Sequence, residues 1–356
     1  MPHLLGLTSE ELSDAARGMP GRGVSHALFR KAMTEGRFAP EREGLSAASV
    51  RFWRDRFVLR LPSVTRVMGE PSADGRTTEK AVLRLEDGLE VECVRIPMGS
   101  DRTTVCVSSQ VGCGLACAFC ETGKMGWVRN LRPDEIIGQL VAVHCELGWP
   151  VDRVVFMGMG EPLDNAEAVV QALRVLRDPR GFALGQARLT ICTAGHVEGL
   201  ARLAALAWPR LNLSVSLNAA TDEKRNKLMP INRRVPLATL QAALIRYRPT
   251  RRFIFAVNYC LMPGFNDSAS DAEHVAAFCG PLGRLLVNVI PYNPGSKPLT
   301  RAPTEDETAR FITWLKESGL PVRRRRTKGS TVMAACGQLG NPDLRRHRRL
   351  LVHSES

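Results

Sequence analysis

The 356-residue chain carries 49 Lys and Arg against 36 Asp and Glu, a formal net charge of +13, with 44% of its residues hydrophobic. That apolar fraction argues against disorder, and the length is enough to bury one large core with an appendage. No apolar stretch approaches membrane-spanning length and the acidic amino terminus has no secretory pattern, so we expect a cytoplasmic protein with no membrane partner. Excess positive charge favours a polyanion such as nucleic acid.

In chain order, residues 1–60 read as a small helical domain. Ser9 is expected to cap a first helix ahead of two glutamates, and the patterns at 24–35 and 46–56 suggest two more. Residues 61–103 form a hairpin region in which 80–97 alternate about Asp87-Gly88. From 104 to 340, strands predicted at 104–108, 153–157, 188–193, 212–217, 253–260, 285–290 and 322–325 alternate with helices at 134–147, 166–176, 237–246, 270–278 and 305–317. This is an α/β pattern, a parallel sheet wrapped by helices, either open or a partial (β/α) barrel. Functional residues then belong just beyond the carboxyl ends of strands. A basic tail, 341–356, closes the chain.

Ten cysteines in a long chain of this kind point to metal binding or thiol chemistry rather than to a disulfide scaffold. Cys113, Cys117 and Cys120 stand in the spacing C-x3-C-x2-C soon after the first barrel strand. Three thiolates on one tight loop can hold three irons of a 4Fe–4S cluster and leave the fourth open to a small molecule. Structural zinc normally takes four ligands, often as two CxxC pairs, and no second pair is near. A non-catalytic zinc or RNA-binding module is the alternative from another class.

The segments CVSSQVGC (106–113), FMGMGEPLDN (156–165), LMPINRR (228–234), VIPYNP (289–294) and AACGQLGN (334–341) carry a family resemblance. The chain resembles the RlmN/Cfr family of radical S-adenosylmethionine (SAM) methyltransferases, which act on an adenine of bacterial large-subunit ribosomal RNA. RDPRGFALGQARLTICTAG is closer to the Cfr side. The resemblance implies a partial (β/α) barrel of the radical SAM type, a 4Fe–4S cluster on Cys113, Cys117 and Cys120, and two SAM consumed per methylation. It assigns Gly160 and Glu161 to the methionine part of SAM, and Cys192, Ser216, Leu217, Asn218 and Asn293 to the rest. The family usually has serine in place of Cys192 and histidine in place of Asn218.

The same resemblance implies the chemistry. Cys336 takes a methyl group from one SAM. A 5′-deoxyadenosyl radical from a second takes hydrogen from that methyl, and the carbon radical adds to carbon 2 or carbon 8 of an adenine in 23S ribosomal RNA, with transfer RNA a further substrate. Glu92 removes the ring proton, and Cys106 releases product by forming a disulfide with Cys336. A one-electron donor such as flavodoxin or ferredoxin and an external thiol are then needed. From the residues alone, Glu92 reads as a solvated carboxylate and Cys106 as a buried thiol. Cys93, Cys145, Cys260 and Cys279 fit core positions. A different RNA, a peptide or a small molecule is the alternative substrate for the same mechanism. The basic run Arg323–Arg326 with Lys328, and the arginines 345, 346, 348 and 349, suggest a phosphate footprint flanking Cys336.

Overall fold

The computed structural model describes residues 1–99, 102–250 and 252–340. The basic tail, with Arg345, Arg346, Arg348 and Arg349, lies outside the described residues. Three helices open the chain: α1 (Ser9–Ala15), α2 (Ser25–Glu35) and α3 (Ala47–Arg56). Their apolar faces, with Leu12, Leu28, Phe29 and Met33 fully buried, join one core with the helices behind the barrel. The cap of α1 is Thr8, not Ser9. A capping box needs its glutamate three residues on, and Glu11 returns a carboxylate oxygen to Thr8 N at 2.7 Å. Ser9 is instead the first helical residue, and its hydroxyl donates to Asp178 at 3.0 Å.

Strands β1 (Ser63–Pro71), β2 (Thr77–Arg84), β3 (Glu90–Met98) and β4 (Arg102–Cys106) run antiparallel, with the expected turn at Asp87-Gly88 between β2 and β3. A small hairpin of β5 (Gln110–Gly112) and β6 (Trp127–Asn130) encloses the cysteine loop and the short helix α4 (Glu121–Met125). Then the βα alternation sets in: α5 (Pro133–Leu147), β7 (Arg153–Phe156), α6 (Ala166–Arg177), β8 (Leu189–Thr193), α7 (Val197–Ala204), β9 (Asn212–Ser216), α8 (Asp222–Leu228), α9 (Leu237–Tyr247), β10 (Phe255–Leu261), α10 (Ala269–Cys279), β11 (Leu285–Pro291), α11 (Glu305–Glu317) and β12 (Val322–Arg324). Helix α5 shows why these boundaries fall where they do. Pro133 opens it, Asp134 and Glu135 fill its first turn, and Gly148 at φ 65° ends it.

Ten of the twelve strands among the described residues make one sheet in the order β1-β2-β3-β4-β7-β8-β9-β10-β11-β12, parallel from β4 onward. Residues of β3, β4, β7, β8, β9, β11 and β12 line a single cavity, so the sheet curls around it. The strands at its two ends do not pair with each other. This is the expected partial barrel, open on one side, with helices outside. Its inner face is polar where Thr104, Thr190, Ser214 and Asn288 point into the cavity. Strand β1, the β5–β6 hairpin and helices α4, α7 and α8 were not anticipated. Each is short, or, as in β1 with its mostly exposed pattern, lacks a clear apolar period.

Candidate functional site

The cysteine loop lies beyond the carboxyl end of β4. Cys113 directly follows β5, Cys117 lies in the loop and Cys120 immediately precedes α4. Cys113 is buried and Cys117 and Cys120 are half-buried, and burial pushes the Cys113 thiol up to about 12 and the other two up as well. Against that, backbone N–H groups are aimed at sulfur: Leu115 at Cys113, and Thr122 and Gly123 at Cys120. The arrangement stabilises thiolates only once a cation joins them. Gly123 keeps the loop tight, because a Cβ there would stand 2.9 Å from both the N and the O of Cys117. The three thiols act on one another electrostatically. Among the described residues, however, no three His, Cys, Asp or Glu side chains are gathered as the ligands of a single ion would be. A cluster asks for one thiolate on each of three irons rather than three on one centre, and the donor set fits that group.

Beyond β7, Gly160 takes φ 98°, and a Cβ on it would sit 2.6 Å from Gln110 Cβ. Gln110 also fixes the next residue, accepting from Glu161 N at 2.8 Å. The Glu161 carboxylate is buried and accepts from Ala194 N at 2.8 Å and Leu163 N at 3.0 Å. No cation pairs with it among the described residues, and burial pushes it up to about 7. A ligand ammonium group fits this partner.

The other expected SAM residues lie at the ends of β8, β9 and β11. The Cys192 sulfur stands 3.5 Å from Ser216 Oγ and accepts from Asn258 Nδ2 at 3.3 Å. Asn218 takes the left-handed conformation, φ 57°, which asparagine tolerates well. Its side chain is used inside the fold, accepting from Cys260 N at 2.9 Å and donating to Met229 Sδ at 3.4 Å. Leu217 is fully buried. Asn293 Nδ2 donates to Cys336 O at 3.3 Å, joining this group to the loop after β12.

Cys336 is exposed, and with Cys106 and Asn293 it lines the barrel cavity of about 590 Å³. Burial, then the neighbouring Cys336, pushes the Cys106 thiol up to about 12. The Cys336 loop docks on α4, where Glu121 N donates to Gly337 O at 2.8 Å, and on β1–β3. Glu70 accepts from Gly329 N and Thr331 N, both at 2.6 Å, and Lys80 Nζ donates to Met333 O at 3.0 Å. Glu92 is not the solvated carboxylate that its strand position suggested. It is buried, pairs with Lys80 at 3.3 Å and accepts from Gly340 N at 2.9 Å, outside the cavity wall. Cys145, expected in the core, is exposed near the end of α5, whereas Cys93 and Cys279 are buried and Cys260 is half-buried.

Of the basic run, Arg323, Arg325, Arg326 and Lys328 line the cavity, and Arg324 does so while pairing with Glu305. Sequence reading missed Arg102, Arg153 and Arg188, which enter the same cavity from the amino ends of β4, β7 and β8. With Arg323, Arg325 and Arg326 they form no ion pair among the described residues. It also missed Gln110, Glu70, Lys80 and Arg225, whose roles depend on contacts across long stretches of chain.

Three comparisons bear on this geometry. Residues 107–279 match the model of the radical SAM superfamily. A probable dual-specificity RNA methyltransferase RlmN 1 of Protochlamydia amoebophila is 39% identical over 98% of this chain and 97% of its own. A dual-specificity RNA methyltransferase RlmN of Geotalea uraniireducens is 45% identical over 76% of each. Among solved structures, a radical SAM methyltransferase from Sphaerobacter thermophilus superposes with a TM-score of 0.85 at 36% identity, covering 95% of this chain and 99% of that one.

Proposed function

The chain belongs to the RlmN family of radical SAM methyltransferases, enzymes that use a 4Fe–4S cluster and SAM, and from that premise we propose that it methylates RNA. The substrate we propose is an adenine of 23S ribosomal RNA, at carbon 2 or carbon 8, with transfer RNA as a second target. The observation that carries this reading is one cavity shared by two thiols, Cys106 and Cys336, and by six arginines without carboxylate partners among the described residues. Unpaired arginines reaching in from strand ends suit phosphates on either side of an extruded base.

When bound, the cluster supplies the electron that cleaves SAM and so opens a radical route to a ring carbon. In our reading Cys113, Cys117 and Cys120 hold it, and Gly160 and Glu161 orient the methionine end of SAM. Ser216, Leu217, Asn293 and the backbone at Cys192 and Asn218 seat the remainder. Cys336 carries the methyl group on its sulfur, on a loop whose exposure lets a base approach. Cys106 is held in the cavity wall beside it and forms the disulfide that frees product. We assign removal of the ring proton to Glu92, whose bonds to Lys80 and Gly340 N hold the carboxylate at the edge of the Cys336 loop, just outside the cavity wall. An electron donor such as flavodoxin or ferredoxin and an external thiol complete the cycle.

We assign residues 1–60 to an accessory RNA-holding domain, 61–103 to a hairpin region, 104–340 to the barrel and 341–356 to a basic tail. Among the described residues no helix is long and apolar enough to cross a membrane, and we propose the cytoplasm as its location. The test is to map methyladenosines in total RNA from cells with and without the gene. Loss of one adenine methylation in ribosomal RNA is expected, and an unchanged map removes the substrate assignment.

A further inference from the structure

Helix α8, DEKRNKL, reads as a surface segment, yet its Arg225 has no exposed surface. Nε donates to Leu217 O at 3.1 Å and Nη1 to Asn232 Oδ1 at 2.8 Å, while Nη2 donates to Ala194 O at 2.6 Å and Ser216 O at 3.3 Å. All four acceptors are neutral. Among the described residues no carboxylate stands at ion-pair distance. Asp222, on the same helix, acts on Arg225 only at longer range and is engaged by Asn232 Nδ2 at 2.8 Å and Leu237 N at 2.9 Å. A guanidinium taken out of water with its hydrogen bonds satisfied but only a distant carboxylate opposite it still carries a charge that is only partly compensated, and that is costly. An anion belongs nearby.

The segment facing it is the cysteine loop. Ala118 N donates to Leu228 O of α8 at 2.9 Å, and Cys117 packs against the small apolar cluster that contains Ala194, Leu228 and Met229. Arg225 and Cys117 act on each other electrostatically. Ala194 ties the two sites together, since its carbonyl accepts from Arg225 while its N–H donates to Glu161. We propose that Arg225 is a positioning residue, the buried counter-charge of the cluster held by Cys113, Cys117 and Cys120, and that it raises that cluster's reduction potential. The inference rests on the cluster assignment made above. A fixed positive charge beside a cluster favours the state that has gained an electron, and net charge is one of the protein's levers on potential.

The test compares purified, anaerobically reconstituted wild type with R225K, which keeps the charge, and R225Q, which keeps a donor for the carbonyls without it. Iron and sulfide content, circular dichroism and a redox titration followed by electron paramagnetic resonance are read for each. The expected result is a potential near the wild-type value in R225K and a lower one in R225Q. Loss of the cluster in R225Q alone, with the fold intact, supports the same role. An unchanged potential in R225Q overturns the proposal, and so does equal loss of fold and cluster in both variants, which assigns the arginine a structural role only. A wild-type protein that takes up no iron and sulfide defeats the cluster assignment itself.

Discussion

Lys80 and Glu92, on adjacent antiparallel strands, form an ion pair at 3.3 Å with side chains only 6% and 5% exposed, and each also holds one end of the Cys336 loop. The pair therefore joins strands β2 and β3 to the loop that lines one side of the barrel cavity. Removing one partner leaves the other charge buried alone. Lys80→Met is expected to lower unfolding free energy by about 3 kcal/mol. Urea denaturation of both forms checks this, and a change under about 0.5 kcal/mol would show that water reaches the pair freely.

Glu70 acts on the same loop from the exposed edge strand β1. It accepts from the amides of Gly329 and Thr331 and from the Thr331 hydroxyl, each at 2.6 Å. Glu70→Ala should speed amide hydrogen exchange across 326–340 while leaving the barrel strands protected, since β1 contributes little to the buried core. Exchange that stays unchanged in that segment would mean that the contacts to α4 suffice to hold it.

Glu161 makes a pH-dependent contribution. Its carboxyl is held at about 7 against an ordinary value of 4.5, because burial outweighs the bonds from the Ala194 and Leu163 amides and the Thr193 side chain. The raised value favours the protonated form in the folded state. The stability this gives is fully present below about 4.5 and is lost as pH rises through about 7. It is on the order of 3 kcal/mol. Without SAM, the melting temperature is expected to fall between about pH 5 and pH 8, and Glu161→Gln or saturating SAM should flatten that slope. A slope that survives in the glutamine variant belongs to other groups.

Cys336→Ala is expected to abolish methylation. Cys106→Ala should leave protein covalently attached to RNA, because the thiol to which we assign product release is missing. Denaturing gels of turnover mixtures, run with and without ribonuclease, read this directly. The absence of any slow-migrating species removes the role given to Cys106.

The barrel was legible because its strands are short apolar runs separated by amphipathic helices, and α5, α9 and α11 fall within a residue or two of their expected bounds. The C-x3-C-x2-C loop stood out as a motif because its spacing is local, and its three thiols lie together beyond β4 as that spacing implies. What stayed hidden is long-range. Arg225 lies in a charged heptapeptide that looks solvated, and only the return of Ala194, Ser216 and Leu217 from two strands shows that it is buried. Glu92 looked exposed for the same reason, its partners being Lys80 across the hairpin and Gly340 far along the chain. The Ser9 cap failed on a one-residue register that the reciprocal Thr8–Glu11 bonds decide.

The most direct measurement counts metal and SAM cleavage on the same sample. Protein prepared without oxygen and supplied with iron and sulfide should take up roughly four of each per chain. Given SAM and a strong reductant, it should form 5′-deoxyadenosine, and alanine at Cys113, Cys117 or Cys120 should abolish both. A colourless wild-type protein that binds zinc in preference and leaves SAM intact would contradict the assignment of these three thiols.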